Sequence, residues 1–167
     1  DAWTKFVAGG MPTSREWDQP VIGVSWQEAK ACCQWLTDTE AAAGRLPKGA
    51  RYRLPTDEEW SIAVGLGRKE KHGEGITPEM LSGKETTEFP WGSDFPPKTK
   101  DMAGNYSDES LRAKAPSKYA QYVEGGYDDG FPTTAPVMSF EPKALGIFDL
   151  GGNVWEWCED WFSDEQK

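Results

Sequence analysis

Histidine is almost missing from this chain of 167 residues: His72 is the only one. One imidazole in a polar stretch builds no histidine-rich metal site. A nucleophile paired with histidine would have only His72 to turn to. Cysteine is scarce as well, with Cys32, Cys33 and Cys158. Three cysteines make no disulfide framework. Neighbours on a helix diverge by about 100°, so Cys32 and Cys33 are poor partners for each other, although Cys158 could in principle reach one of them. All three read as small buried hydrophobes with free thiols. No apolar run approaches the roughly 20 residues that span a bilayer. Positive charge is outnumbered, 18 basic against 28 acidic residues, for a net −10. That balance argues against a nucleic-acid backbone or an anionic membrane surface as partner, and the acidity reads as simple solubility. The chain opens on Asp1-Ala2-Trp3 without Met and without an apolar leader-type run. It is therefore expected to be an excised or processed piece, with its compartment left open.

What is present is concentrated near the end. Gly151-Gly152-Asn153-Val154-Trp155-Glu156-Trp157-Cys158-Glu159-Asp160 crowds glycines, indoles and oxygen donors into ten residues. Glycines let the backbone bend and turn carbonyls toward one point. Asp149, Asn153 and Glu156 add side-chain oxygens, and hard cations such as calcium take such mixed shells. The residues alone fit two readings equally: a cation-holding loop, or a tight turn packed by tryptophans in which Glu156 is merely hydrogen-bonded.

Two helices announce themselves by capping boxes. Ser25 and Glu28 open one predicted near 26–43, with Ala29, Cys32 or Cys33 and Leu36 at helical spacing and Gly44 as a stop. Thr56 and Glu59 open one predicted near 57–65, with Trp60, Ala63 and Val64 on one face and Gly65 and Gly67 at its end. Tyr52-Arg53-Leu54 reads as a short strand running into that second cap. Thr77-Pro78 starts a brief third helix, with proline at its first position. From 66 to 134 the sequence reads mainly as long ordered loops. So long a stretch without its own elements is uncommon in a compact domain. Bound cations would help to order it, and Trp91, Phe95, Tyr106, Tyr119, Tyr122, Tyr127 and Phe131 would pin it by burying rings. No repeat or linker divides residues 1–167, which read as a single domain.

The closing motif also resembles the signature of the formylglycine-generating enzyme family, the sulfatase-modifying factors. Pro20-Val21-Ile22-Gly23-Val24-Ser25-Trp26, Cys33-Gln34-Trp35-Leu36, Arg53-Leu54-Pro55-Thr56 with Glu59-Trp60, Phe89-Pro90-Trp91-Gly92, Thr134-Ala135-Pro136-Val137 and Ala144 to Leu150 match in the family's order, over about 140 residues. The resemblance implies an α+β fold of the C-type-lectin-like kind, with two main helices, short strands and long loops, incomplete here at both ends. It implies two structural Ca2+ sites. At the first, Asn105, Tyr106, Asp129 and Phe131 would supply side-chain and carbonyl oxygens, against the plainer reading of an Asx-turn at each position. At the second, Asp149 (where some members carry Asn), Gly152, Val154 and Glu156 would do so.

Family members that oxidise a sulfatase cysteine, within a Cys-x-Pro-x-Arg sequence, to formylglycine hold Cu+ on two cysteines toward the C-terminal end. Soft thiolates suit that ion. No such pair occurs in this chain, and Cys32 and Cys33 match structural positions. No catalytic residue is assigned, and the chain alone is expected to be inactive. Copper enters only if a further C-terminal segment supplies cysteines. The alternative is a non-catalytic ligand- or protein-binding module on the same fold, as in retroelement-diversified variable proteins. A protein or peptide ligand is the expected partner, with no nucleic acid and no membrane span.

Overall fold

The structure is a computed structural model that describes residues 18–162, apart from 68, 72, 83–86, 95–103, 115–122, 124 and 144. His72, Phe95, Tyr119, Tyr122 and Ala144 thus lie outside the described residues. Four helices occur among the described residues: α1 (Trp26–Ala42), α2 (Asp57–Val64), α3 (Pro78–Leu81) and α4 (Glu109–Lys114).

Both expected capping boxes form. Ser25 Oγ accepts the Glu28 N–H at 3.2 Å, and the Glu28 carboxylate accepts the Ser25 N–H at 2.8 Å. Thr56 and Glu59 repeat the exchange at 3.1 and 2.8 Å. These pairs satisfy N–H groups that a helix start leaves without internal partners. Glu59 also takes both arms of the Arg53 guanidinium, at 2.6 Å each. That ion pair, with the Thr56 N–H, holds its carboxyl down at about 2.

The helix ends are set by backbone. Gly44 N–H and Arg45 N–H bond Ala41 O and Glu40 O at 3.0 and 2.9 Å, a Schellman pattern. In α2 the same role falls to Gly65, whose φ of 102° is left-handed. α3 has Pro78 at its start as expected.

The expected strands are not borne out among the described residues. The only pairing is an isolated bridge between Phe89 and Gly92. Residues 52–54 form no ladder: Tyr52 N–H goes to Thr37 Oγ1 of α1 at 2.9 Å. A side chain has taken the donor that a neighbouring strand would have used.

The core gathers under the C-terminal half, where Val64, Tyr127, Ala135, Phe140 and Leu150 are buried. Rings fasten the loops there. Trp91 meets Tyr106 edge-on at 4.9 Å, and Phe131 meets Phe140 likewise at 6.1 Å. Tyr127 Oη donates to Gly104 O at 2.8 Å. The three cysteines are free, but half-buried rather than buried as expected. α1 buries no residue fully, and α2 buries Ser61 and Val64.

Candidate functional site

The closing motif runs between the starts of α1 and α2. Trp157 Nε1–H donates to Val24 O at 3.0 Å, and Trp26 Nε1–H donates to Cys158 O at 2.9 Å. Lys30 of α1 pairs with Glu159 and lies over the Trp26 ring. From the other side, Asp57 N–H at the first turn of α2 donates to Asp160 Oδ2 at 2.7 Å. Trp60 Nε1–H donates to Glu156 Oε2 at 2.6 Å. The capping boxes therefore do more than begin helices. They orient two indoles and a helix N-terminus onto residues 156–160.

The second expected donor set overlaps this run at Glu156. Asp149 has φ 56°, a left-handed conformation costly for a residue with a Cβ. Its Oδ2 accepts the Met138 N–H at 2.7 Å, whereas its Oδ1 is buried with no hydrogen-bond partner among the described residues. Glu156 is exposed as a residue, but partial burial of its carboxyl raises its pKa. The Trp60 hydrogen bond opposes that rise, and the charge of Asp149 adds to it. Between them, Val154 N–H bonds Gly152 O at 2.8 Å, around Asn153 at φ 63°. An i to i+2 bond with a positive central φ is the rarer, strained γ-turn. An orphaned buried carboxylate oxygen is poor design for an apolar turn, and it suits a hard cation with oxygen ligands.

The first expected set is also brought together. Asp129 Oδ1 accepts the Phe131 N–H at 2.7 Å, an Asx-turn, and Oδ2 accepts the Tyr106 N–H at 2.8 Å. The adjacent residue is Asn105, buried, whose amide donates to Thr133 O and, at 3.2 Å, to Asn153 Oδ1. Burial foremost pushes the Asp129 carboxyl up to about 6 against the pull of its two N–H donors, with nearby Asp108 contributing. Among the described residues no three His, Cys, Asp or Glu side chains form a metal cluster. Both expected sets rely on carbonyls for half their donors, so they are of a different kind.

Asp108 is a residue that sequence reasoning passed over. It is 0 % exposed. Its Oδ1 accepts Ser110 and Leu111 N–H at 2.9 and 3.4 Å, and its Oδ2 accepts Asp129 N–H. The signal was available: Ser107-Asp108-Glu109 is a helix-start pattern for α4.

The cysteines share no such arrangement. Burial raises the Cys33 thiol above its usual range, with Cys32 and Glu159 adding. Burial pushes Cys158 up to about 11, with Asp57, Asp160 and Glu156 contributing. With no metal bound, thiols raised in this way stay protonated at neutral pH and are weak nucleophiles.

Beside the motif lies an open groove of about 710 Å³, walled by Val21, Ile22, Val24, Val154, Trp155 and Trp157, with Asn153 and Glu156 as polar points. Trp155 is 102 % exposed and Ile22 68 %. No helix among the described residues is long and apolar enough to cross a membrane.

Comparison with known proteins agrees with this arrangement of motifs. The chain is 30 % identical to a formylglycine-generating enzyme of Thermomonospora curvata, over 87 % of this chain and 35 % of the relative. It is 32 % identical to the Mus musculus formylglycine-generating enzyme, over 87 % and 28 %. It is 29 % identical to the Bos taurus inactive C-alpha-formylglycine-generating enzyme 2, over 93 % and 37 %. The chain spans about a third of the length of these curated relatives. No solved structure matches it. Residues 2–167 match the Sulfatase-modifying factor enzyme 1-like domain throughout, and the chain belongs to that family.

Proposed function

We propose that this chain is a calcium-stabilised scaffold of C-type-lectin-like kind that presents an apolar groove to a protein or peptide segment and does not itself oxidise cysteine. The observation that carries the reading is the groove. Trp155, Trp157, Val21 and Ile22 stand open around Asn153 and Glu156. Exposed rings and aliphatics beside a few polar points are the usual make-up of a binding patch. Calcium would be held by Asn105, Tyr106, Asp129 and Phe131, and by Asp149, Gly152, Val154 and Glu156. It would supply charge balance for the acids and order for the loops. The donor chemistry supports this, above all the unpartnered Asp149 Oδ1. The non-catalytic part of the reading rests on the three half-buried free cysteines, none paired with another.

The test is a labelled Cys-x-Pro-x-Arg peptide incubated with the chain, calcium, copper and oxygen. Fluorescence anisotropy is expected to report binding that weakens on Trp155→Ala, and mass spectrometry is expected to show the peptide unchanged. Conversion of its thiol to an aldehyde would refute the non-catalytic reading. A second reading, in which the chain is the scaffold part of a formylglycine-generating enzyme, is favoured by relatives of that name about three times as long. Joining a segment that carries a cysteine pair would then restore conversion.

A further inference from the structure

The two candidate cation sites are separate in sequence but are joined through one side chain that belongs to neither. Asn153 lies between Gly152 and Val154, whose carbonyls belong to the second set. Its backbone N–H donates to Asn105 O at 2.8 Å. Its Oδ1 accepts the Asn105 amide at 3.2 Å and the Ala135 N–H at 2.8 Å. Its Nδ2 donates to Ala135 O at 3.2 Å. Asn105 belongs to the first set, and Ala135 is wholly buried. One amide therefore ties three chain segments together in a place with no ladder to do so.

The backbones are also in contact at this point. A Cβ on Gly152 would collide with Asn105 O, and one on Gly104 would collide with Gly151 O. Neither segment can shift far without moving the other. Asn153 itself sits at φ 63°, held there by these bonds.

We propose that the two sites form one coupled unit, with Asn153 as the positioning residue that transmits order between them. The inference rests on the calcium reading above. A cation at the first set fixes Asn105. The doubly bonded Asn153 then lies already in the turn that aims the Gly152 and Val154 carbonyls. The second cation meets a loop whose ordering cost is already met. Coupling of this kind is reciprocal.

The test is calcium titration of the full chain by calorimetry, with calcium-dependent melting as a second readout. The wild type is expected to bind two equivalents. Glu156→Gln, which weakens the second site at an exposed residue, should weaken the remaining calcium by about fivefold or more. Asp129→Ala should do the same in the other direction. Asn153→Gly keeps a left-handed backbone accessible and deletes the amide. In that background Glu156→Gln should leave the remaining constant within about twofold. Asn153→Ala, which also deletes the amide and its bond to Asn105 without adding charge, serves if the glycine variant does not fold, with coupling reduced. Two equivalents with independent constants in the wild type would overturn the coupling alone. Equal coupling with and without the Asn153 amide would overturn the role of Asn153. A wild type that binds no calcium would overturn the cation reading and the coupling with it.

Discussion

Asp108→Ala is expected to be among the most damaging single changes in the chain, although Asp108 belongs to neither donor set. Its carboxylate is 0 % exposed and accepts three backbone N–H groups. Two of these belong to the first turn of α4, and loss of such a cap costs about 1 kcal/mol. The third, from Asp129, is charge-assisted, and leaving that donor unpaired costs about 1.5–3 kcal/mol. Two effects oppose the loss. Burying a carboxylate is itself unfavourable, and Asp108 repels Asp129, whose carboxyl it helps to raise. The geometry decides between them. All three donors are main-chain groups that alanine cannot satisfy, so the net loss is about 3 kcal/mol. At about 2–4 °C per kcal/mol for a chain of this size, Tm falls by roughly 6–12 °C. Asp108→Asn keeps one acceptor oxygen and loses the repulsion but turns its NH2 group on a backbone donor, so it should fall between the parent and the alanine variant, about 1–3 kcal/mol below the parent. Urea unfolding at pH 7 with constant slope is the assay. An alanine variant as stable as the parent would show that burial and repulsion outweigh the bonds, and would refute the reasoning.

Chelation tests the cation reading. If each site is filled at a hundred times its Kd, each adds about 2.7 kcal/mol, so excess chelator should lower Tm by roughly 10–20 °C; an unchanged midpoint would count against both sites. Stability against pH should show two opposite slopes in calcium-free protein. Asp129 is raised to about 6 from 3.8, so the folded state binds the extra proton and stability falls as pH rises from about 4 to 6; Asp129→Asn should remove that slope. Glu59 is lowered to about 2 from 4.5, so its contribution is present above 4.5 and is lost as pH falls toward 2; Glu59→Gln should remove it, and salt should weaken it because the pair is exposed. Trp60→Phe deletes the donor to Glu156 and should cost severalfold in calcium affinity at the second set while leaving the first within the coupling factor, read by calorimetry. Cys32→Ala and Cys33→Ala should each cost at most about 1 kcal/mol, as half-buried truncations do, and tight copper(I) binding lost on either change would overturn their non-catalytic assignment.

The sequence by itself determined what depends on near neighbours. The capping boxes at Ser25 and Thr56 and the proline start of α3 are written within four residues and form as read. The family was legible too, because its blocks are short contiguous runs in fixed order. The ten-residue motif marked the segment that bonds to both helix starts, and Tyr106, Asp129 and Phe131 of one expected set do meet. Tertiary structure decided what depends on distant partners. Tyr52 surrendered its N–H to Thr37 instead of to a strand. Asp108 became a wholly buried cap because Asp129 folded over it. Trp60 found Glu156 from 96 positions away. Asn153, which the sequence offered as one more side-chain oxygen for a cation, became the tie between Asn105 and Ala135. A side chain's local pattern states what it can donate or accept. Which group it meets depends on loop paths fixed only when rings such as Trp91, Tyr106 and Phe140 pack together, since the described residues form no ladder whose short-range repeat would encode those paths.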